Sequence, residues 1–268
     1  MTASSLDDFL NAAVEAARAG GQVIRAAAGT HASLQIERKR NNDFVSAVDK
    51  GSERAIIASL SARFPGHAIK AEESGDSGSS DHQWLIDPLD GTTNFLHGFP
   101  HYCVSIALRI GEQVAVGVVF DPLNDRMFTA KRGGGAFLNG EPISVSARTS
   151  FAEAMLGTGL PFTDFSFLDA YIDSLRVIMQ RCAGVRRPGA AALDLAFVAA
   201  GWMDGFWEKN LNPWDVGAGS LLVEEAGGRV SDFSGQGRFL HGGQIVAGTP
   251  GVHRDLVGVL EQYPALAA

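Results

Sequence analysis

Cysteine is scarce. Cys103 and Cys182 lie far apart and without Cys-x-x-Cys spacing, which argues against a disulfide framework or a thiolate zinc site and leaves both as small apolar fillers. Positive charge is also short: 22 Lys and Arg stand against 30 Asp and Glu, for a net charge of −8. A general nucleic-acid or anionic-membrane surface needs a basic face, so neither is expected here. No apolar run reaches membrane-spanning length. Asp7 and Asp8 occupy the place where a secretory leader would be basic, so a cytoplasmic location is expected. There is no Gly-x-x-x-x-Gly-Lys segment, which removes the P-loop kinases and ATPases, and no internal repeat or low-complexity tract. What is present is a chain of 268 residues, 46% hydrophobic, able to bury a full core as one large domain or two packed halves. Its 32 glycines, spread without period, predict many tight turns between short elements.

One stretch organises the rest: Trp84-Leu-Ile-Asp87-Pro-Leu-Asp90-Gly-Thr-Thr-Asn-Phe95. Trp84, Leu85 and Ile86 favour a buried strand, and Pro88 keeps Asp87 extended while fixing its own φ. Asp87 and Asp90 are thereby expected at the mouth of a sheet. Gly91 allows close approach of a ligand, and Thr92, Thr93 and Asn94 can open a helix whose free N–H groups face an anion. A plain polar turn with an N-cap is the competing reading of these residues taken alone.

Along the chain, Ser5 with Asp8 reads as a capping box, and Leu6, Leu10, Ala13, Val14 and Ala17 predict a helix ending at Gly20-Gly21. A second helix carries Ile56, Ile57, Leu60 and Phe64 on its apolar face and stops at Pro65-Gly66. Residues 67–71 read as a short strand followed by Glu72 and Glu73; residues 75–80 then form a polar loop, a candidate lid. A glutamate at that strand end is placed like a metal ligand, against the ordinary alternative of a solvated pair. Residues 103–110, 114–120 and 126–130 predict an antiparallel meander, with tight turns at Gly111-Glu112 and a further hairpin signal at Asn139-Gly140. His97 and His101 have i, i+4 spacing, but Gly98 and Pro100 between them remove the helix a zinc pair would need. From about Met155 strands alternate with helices, as in α/β folds. Glu208 ends one strand, and Asp215 follows Asn212-Pro213-Trp214 at a helix start, where an acid also suits the helix dipole. The expected organisation is an α+β half over residues 1–150 and an α/β half over residues 151–268.

Asp87-Pro-Leu-Asp90-Gly-Thr-Thr-Asn-Phe95, with Trp214-Asp215-Val-Gly-Ala-Gly219 as a second signature, resembles the inositol monophosphatase family of magnesium-dependent, lithium-sensitive phosphatases. The resemblance implies a layered αβαβα sandwich of the inositol monophosphatase and fructose-1,6-bisphosphatase type, usually a homodimer. It implies two to three Mg²⁺ ions, with Mn²⁺ as a substitute: a first held by Glu72, Asp87 and the Leu89 carbonyl, a second by Asp87, Asp90 and Asp215, and a weaker third by Glu72. Independently, carboxylates without histidine or thiolate partners are hard donors that select Mg²⁺ or Mn²⁺ over zinc. The same resemblance gives Asp43, Thr92 and Glu72 as catalytic residues, with Thr92 and Asp43 orienting and deprotonating a metal-activated water. Substrate binding falls to Asp90, Gly91, Thr92, Thr93, Ala191, Glu208 and Asp215, and Lys39 lies near the rim. The implied activity is hydrolysis of myo-inositol monophosphate or a related polyol phosphate. Ser46 replaces a usual threonine, Ala190 a usual serine or threonine and Asn212 a histidine of animal relatives, so histidinol phosphate, fructose 1,6-bisphosphate and nucleotide 3′-phosphate stay open as substrates. Some bacterial members also bind the transcription machinery, which adds RNA polymerase or a transcription factor as an expected partner.

Overall fold

A computed structural model describes residues 5–29, 36–40 and 43–267; the side chains of residues 36–40, 43–46 and 267 lie outside that description. Helix α1 (Leu6–Ala27) opens on the expected capping box, with the Ser5 hydroxyl accepting the Asp8 N–H and the Asp8 carboxylate accepting the Ser5 N–H. It does not end at Gly20-Gly21. A Cβ on Gly20 would lie 2.7 Å from Ser52 Oγ, and one on Gly21 would overlap the Phe120 ring. These glycines permit close helix packing rather than stopping the helix.

A hairpin of β1 (Ile36–Arg40) and β2 (Asp43–Ser46) leads into α2 (Ala47–Arg63), which packs on α1. Then follow β3 (Ala68–Ala71), β4 (Gly75–Ser77), β5 (His82–Asp90), α3 (Thr92–Leu96), β6 (Cys103–Ile110), β7 (Gln113–Asp121), β8 (Arg126–Lys131), β9 (Ala136–Leu138) and β10 (Glu141–Ile143). The eight strands after α2 form one sheet, in the order β10-β9-β8-β7-β6-β5-β3-β4. Only β3 and β5 run parallel within it. The expected lid begins instead as a strand, because β4 pairs with β3 from Ile69↔Ser77 to Ala71↔Gly75 and its backbone is committed to the sheet edge.

The second half supplies β11 (Met155–Thr158), α4 (Leu168–Met179), β12 (Gly184–Arg186), α5 (Ala191–Ala199), β13 (Gly205–Lys209), α6 (Pro213–Glu225), β14 (Arg229–Ser231), α7 (Phe239–Gly242), β15 (Gln244–Gly248), α8 (Pro250–Leu260) and α9 (Pro264–Ala267). Its five strands form a mixed sheet ordered β12-β11-β13-β15-β14. Helices α1 and α2 cover one face of the large sheet through Phe9, Ile24, Ile56 and Leu60 against Trp84 and Ile86. Helices α5 and α6 fill the space between the two sheets with Leu195, Ala196, Ala218, Leu221 and Leu222. Helix α5 is apolar nearly all round, which suits a helix with sheet on both sides. Outside the smaller sheet, Tyr171 and Ile178 of α4 join Val252 and Leu256 of α8 over Trp207. The result is the five-layer αβαβα sandwich.

Candidate active site

The parallel pairing of β3 with β5 brings the acids together. Beyond the Ala71↔Ile86 pair, the Glu72 N–H donates to the Ile86 carbonyl at 3.1 Å, so Glu72 leaves its strand beside Asp87. Immediately afterwards β5 bulges against β6: Asp87 faces Ser105, but Asp90 faces Cys103, so two residues oppose one. The Asp87 carboxylate accepts the Leu89 N–H at 3.0 Å and shapes this bend. Gly91 then takes φ +91°, and a Cβ there would lie 2.9 Å from the His101 carbonyl oxygen, so both backbone and space demand glycine.

Asp90 reaches across to the other half of the molecule. Its Oδ2 accepts the Ala192 N–H at 2.7 Å, serving α5 as a cap that Ala190, lacking a side-chain acceptor, does not provide. Asp215 accepts the Asn212 N–H at 2.7 Å in the first turn of α6, and its dipole-favoured helical position is also a position in the cleft. Glu208 enters from β13, where Gly159 leaves room for it: a Cβ on Gly159 would overlap the Glu208 carboxylate.

Glu72, Asp87, Leu89, Asp90, Gly91, Thr92, Thr93, Ala191, Glu208 and Asp215 all line one cleft of about 540 Å³. Asn94 ties its floor together, its amide donating to the carbonyls of His101 and Pro188 at 2.7 and 2.9 Å. Asp43 stands at the start of β2, and its side chain, like those of Lys39 and Ser46, lies outside the described residues. Among the described residues, the acid that meets Thr92 is Asp49: the Thr92 hydroxyl is 2.9 Å from Asp49 Oδ1 and 3.1 Å from the Leu89 carbonyl oxygen. A hydroxyl has one proton to give, and the charge-assisted bond to the carboxylate is the stronger. Sequence reading passed over Asp49. Its signal was the continuation of the Ile56 and Leu60 face of α2 into polar Asp49, Ser52 and Glu53, all buried. His101, considered above for zinc, spends Nε2 on the buried Asp194 carboxylate at 2.8 Å.

Electrostatically the cleft is overdrawn in negative charge. Burial pushes the Asp87 carboxyl well above the usual range, and Glu72, Asp90 and Asp215 push it further. Asp90 is raised to about 6, mainly by burial, against the stabilising N–H of Ala192. Asp215 and Glu208 are raised well above normal, again by burial first, although part of each side chain faces the open cleft. Arg187 is the one basic side chain among the described residues lining the cleft, and its attraction acts on Glu208. Among the described residues no three of His, Cys, Asp or Glu form a ready-made coordination group; the four acids are instead gathered within electrostatic reach of one another. Carboxylates in that number, with a carbonyl and no soft donor, fit hard divalent cations.

A layered αβαβα sandwich with acids gathered where β3, β5 and α6 meet defines a phosphatase-type fold. The chain belongs to the inositol monophosphatase family, whose model matches residues 5–265. Among its relatives is the Nus factor SuhB of Pseudomonas aeruginosa, 46% identical over 264 residues that cover 96% of this chain and 97% of the relative. The extragenic suppressor protein suhB from Bartonella henselae superposes with a TM-score of 0.92 at 41% identity, covering 95% of this chain and 98% of that one. The IMPase of Thermotoga maritima gives 0.87 at 33% identity, with 97% and 100% covered.

Proposed function

We propose that the protein hydrolyses a phosphomonoester of a polyol, such as myo-inositol monophosphate, with divalent cations and Mg²⁺ foremost. The observation that carries this reading is the convergence of Glu72, Asp87, Asp90 and Asp215 from three separate elements on one cleft with Thr92. Glu72, Asp87, the Leu89 carbonyl, Asp90 and Asp215 would hold the cations. Once bound, those ions supply charge neutralisation, a water of lowered pKa and polarisation of the phosphoryl group. The chain's own residues do the rest. The amides of Gly91 and Thr92, at the open start of α3, hold phosphate oxygens. Thr92 Oγ1 accepts a proton from the attacking water as its own proton passes to Asp49, to which its hydroxyl is bonded; the Asp43 pairing expected from sequence involves a side chain outside the described residues. Ala191 packs against the alcohol portion, and Glu208 accepts its hydroxyls. Phosphate release across inositol, sugar, histidinol and nucleotide phosphates, with and without chelator, tests the reading. Hydrolysis undiminished in excess chelator would overturn it.

A second reading concerns partners. The Pseudomonas relative is named a Nus factor, which supports an association of this chain with the transcription machinery in addition to catalysis. Recovery of RNA polymerase by a variant lacking the cleft acids, to the same extent as by wild type, would establish that role as separate from phosphate chemistry.

A further inference from the structure

Helix α2 places three polar side chains where a helix packed on a sheet is ordinarily apolar: Asp49, Ser52 and Glu53 are 0%, 0% and 4% exposed. Spaced i, i+3 and i+4, they share one face. Each one fastens a different piece of the cleft. Asp49 takes the Thr92 hydroxyl, as described. The Ser52 hydroxyl donates to the Pro88 carbonyl at 2.8 Å, within the β5 bulge, where the carbonyl lies between the Asp87 and Asp90 pairing positions. Glu53 Oε2 accepts the N–H of Glu73 at 2.8 Å, one residue beyond Glu72. A buried carboxylate is expensive to desolvate, and an apolar side chain of similar size would ordinarily serve packing better. The bond Glu53 makes accounts for its presence.

We propose that Ser52 and Glu53 are positioning residues, Ser52 setting the Asp87–Leu89 bend and Glu53 setting the turn that aims Glu72, so that the two strand ends are held at the spacing a divalent cation needs. This rests on the phosphatase reading above, in which those strand ends carry cation ligands. Residues that orient metal ligands typically change metal affinity by about 10- to 100-fold when altered.

The test is direct Mn²⁺ binding to the full chain without substrate, by calorimetry or electron paramagnetic resonance, alongside circular dichroism and melting curves. Glu53→Gln removes the charge but keeps an acceptor oxygen at the same reach, whereas Glu53→Asp keeps the charge and withdraws the oxygen. A positioning role predicts binding within about threefold of wild type for Glu53→Gln and at least about tenfold weaker for Glu53→Asp. The reverse order would show that Glu53 acts only through its charge, and wild-type affinity in both variants would show that it does nothing; either result overturns its role. Ser52→Ala, which removes one hydroxyl, should weaken binding by about tenfold, and unchanged affinity overturns the Ser52 half. Should Glu53→Asp not fold, Glu53→Gln decides: loss of binding there overturns the proposal. Wild-type protein that binds no Mn²⁺ would remove the phosphatase reading and this proposal with it. Wild-type binding with unaffected variants removes this proposal alone.

Discussion

The two ends of the cleft are built differently. At the acid end, Glu72, Asp87, Asp90 and Thr92 are set by main-chain devices: a parallel strand pair, a bulge, a left-handed glycine and a short helix. At the other end, Gly159, Arg187, Ala191, Glu208 and Asn210 come from loops, the end of β13 and the start of α5, scattered along the second half of the chain. Asn210 itself is held with φ +72° and donates to Thr163. One end is nearly a single motif with α2 as its brace, while the other is an assembly of separate side chains. On the proposed reading, the acid end sets the type of reaction and the opposite end is free to select which alcohol enters.

This contrast is breakable in stages. Removing divalent ions should abolish turnover on every phosphate ester, since all of the acid end depends on them, and re-adding Mg²⁺ after chelation should restore it; phosphate release measures both. Next, Thr92→Ala and Asp49→Asn should each lower kcat by about 10²–10⁴-fold while leaving KM nearly unchanged. Acting as one relay, their double variant should be scarcely slower than either single one. Multiplied losses, or an equal defect in Asp43→Asn with Asp49→Asn unaffected, would return the relay to the residue expected from sequence. A smaller and selective effect belongs to the other end. Glu208→Ala should lose a charge-assisted hydrogen bond worth about 1.5–3 kcal/mol, roughly ten- to a hundredfold in kcat/KM on polyol phosphates, and little on an ester without hydroxyls. Equal losses on both substrates would erase the division between the two ends.

The smallest effect is on stability. Asp90 keeps its proton up to about 6 in the folded protein, against 3.8 for an ordinary aspartate. Between those values the folded form binds more protons, so this residue makes stability fall as pH rises through the window. His253, lowered to about 4 by burial, works in the opposite direction, losing stability as pH falls from 6.5. Comparing Asp90→Asn with wild type in chelator cancels the histidine. The variant should melt higher near neutral pH, with the gap closing by about pH 4. A gap independent of pH would mean that Asp90 is not held against its charge.

Much of this was legible in the chain. The apolar run through Ile86, the proline after Asp87 and Gly91 specify a strand, a bend and a left-handed turn by local sterics alone. The capping box at Ser5 and the start of α6 at Asn212-Pro213 are equally local. Composition determined that the cleft acids would be hard donors with few cations to balance them. The tertiary structure decided what local sterics could not. Which acid meets Thr92 depends on where α2 lies over β5, and the structure puts Asp49 there, three residues beyond the end of β2. Gly20 and Gly21 look like a helix stop until Ser52 and Phe120 are seen pressed against α1. Residues 75–77 look like a free loop until β3 offers them an edge to pair with. The bond from Ala192 to Asp90 joins positions 102 apart. Contacts of that kind leave no local period or propensity in the sequence, because their energy arises only when distant segments share one desolvated space.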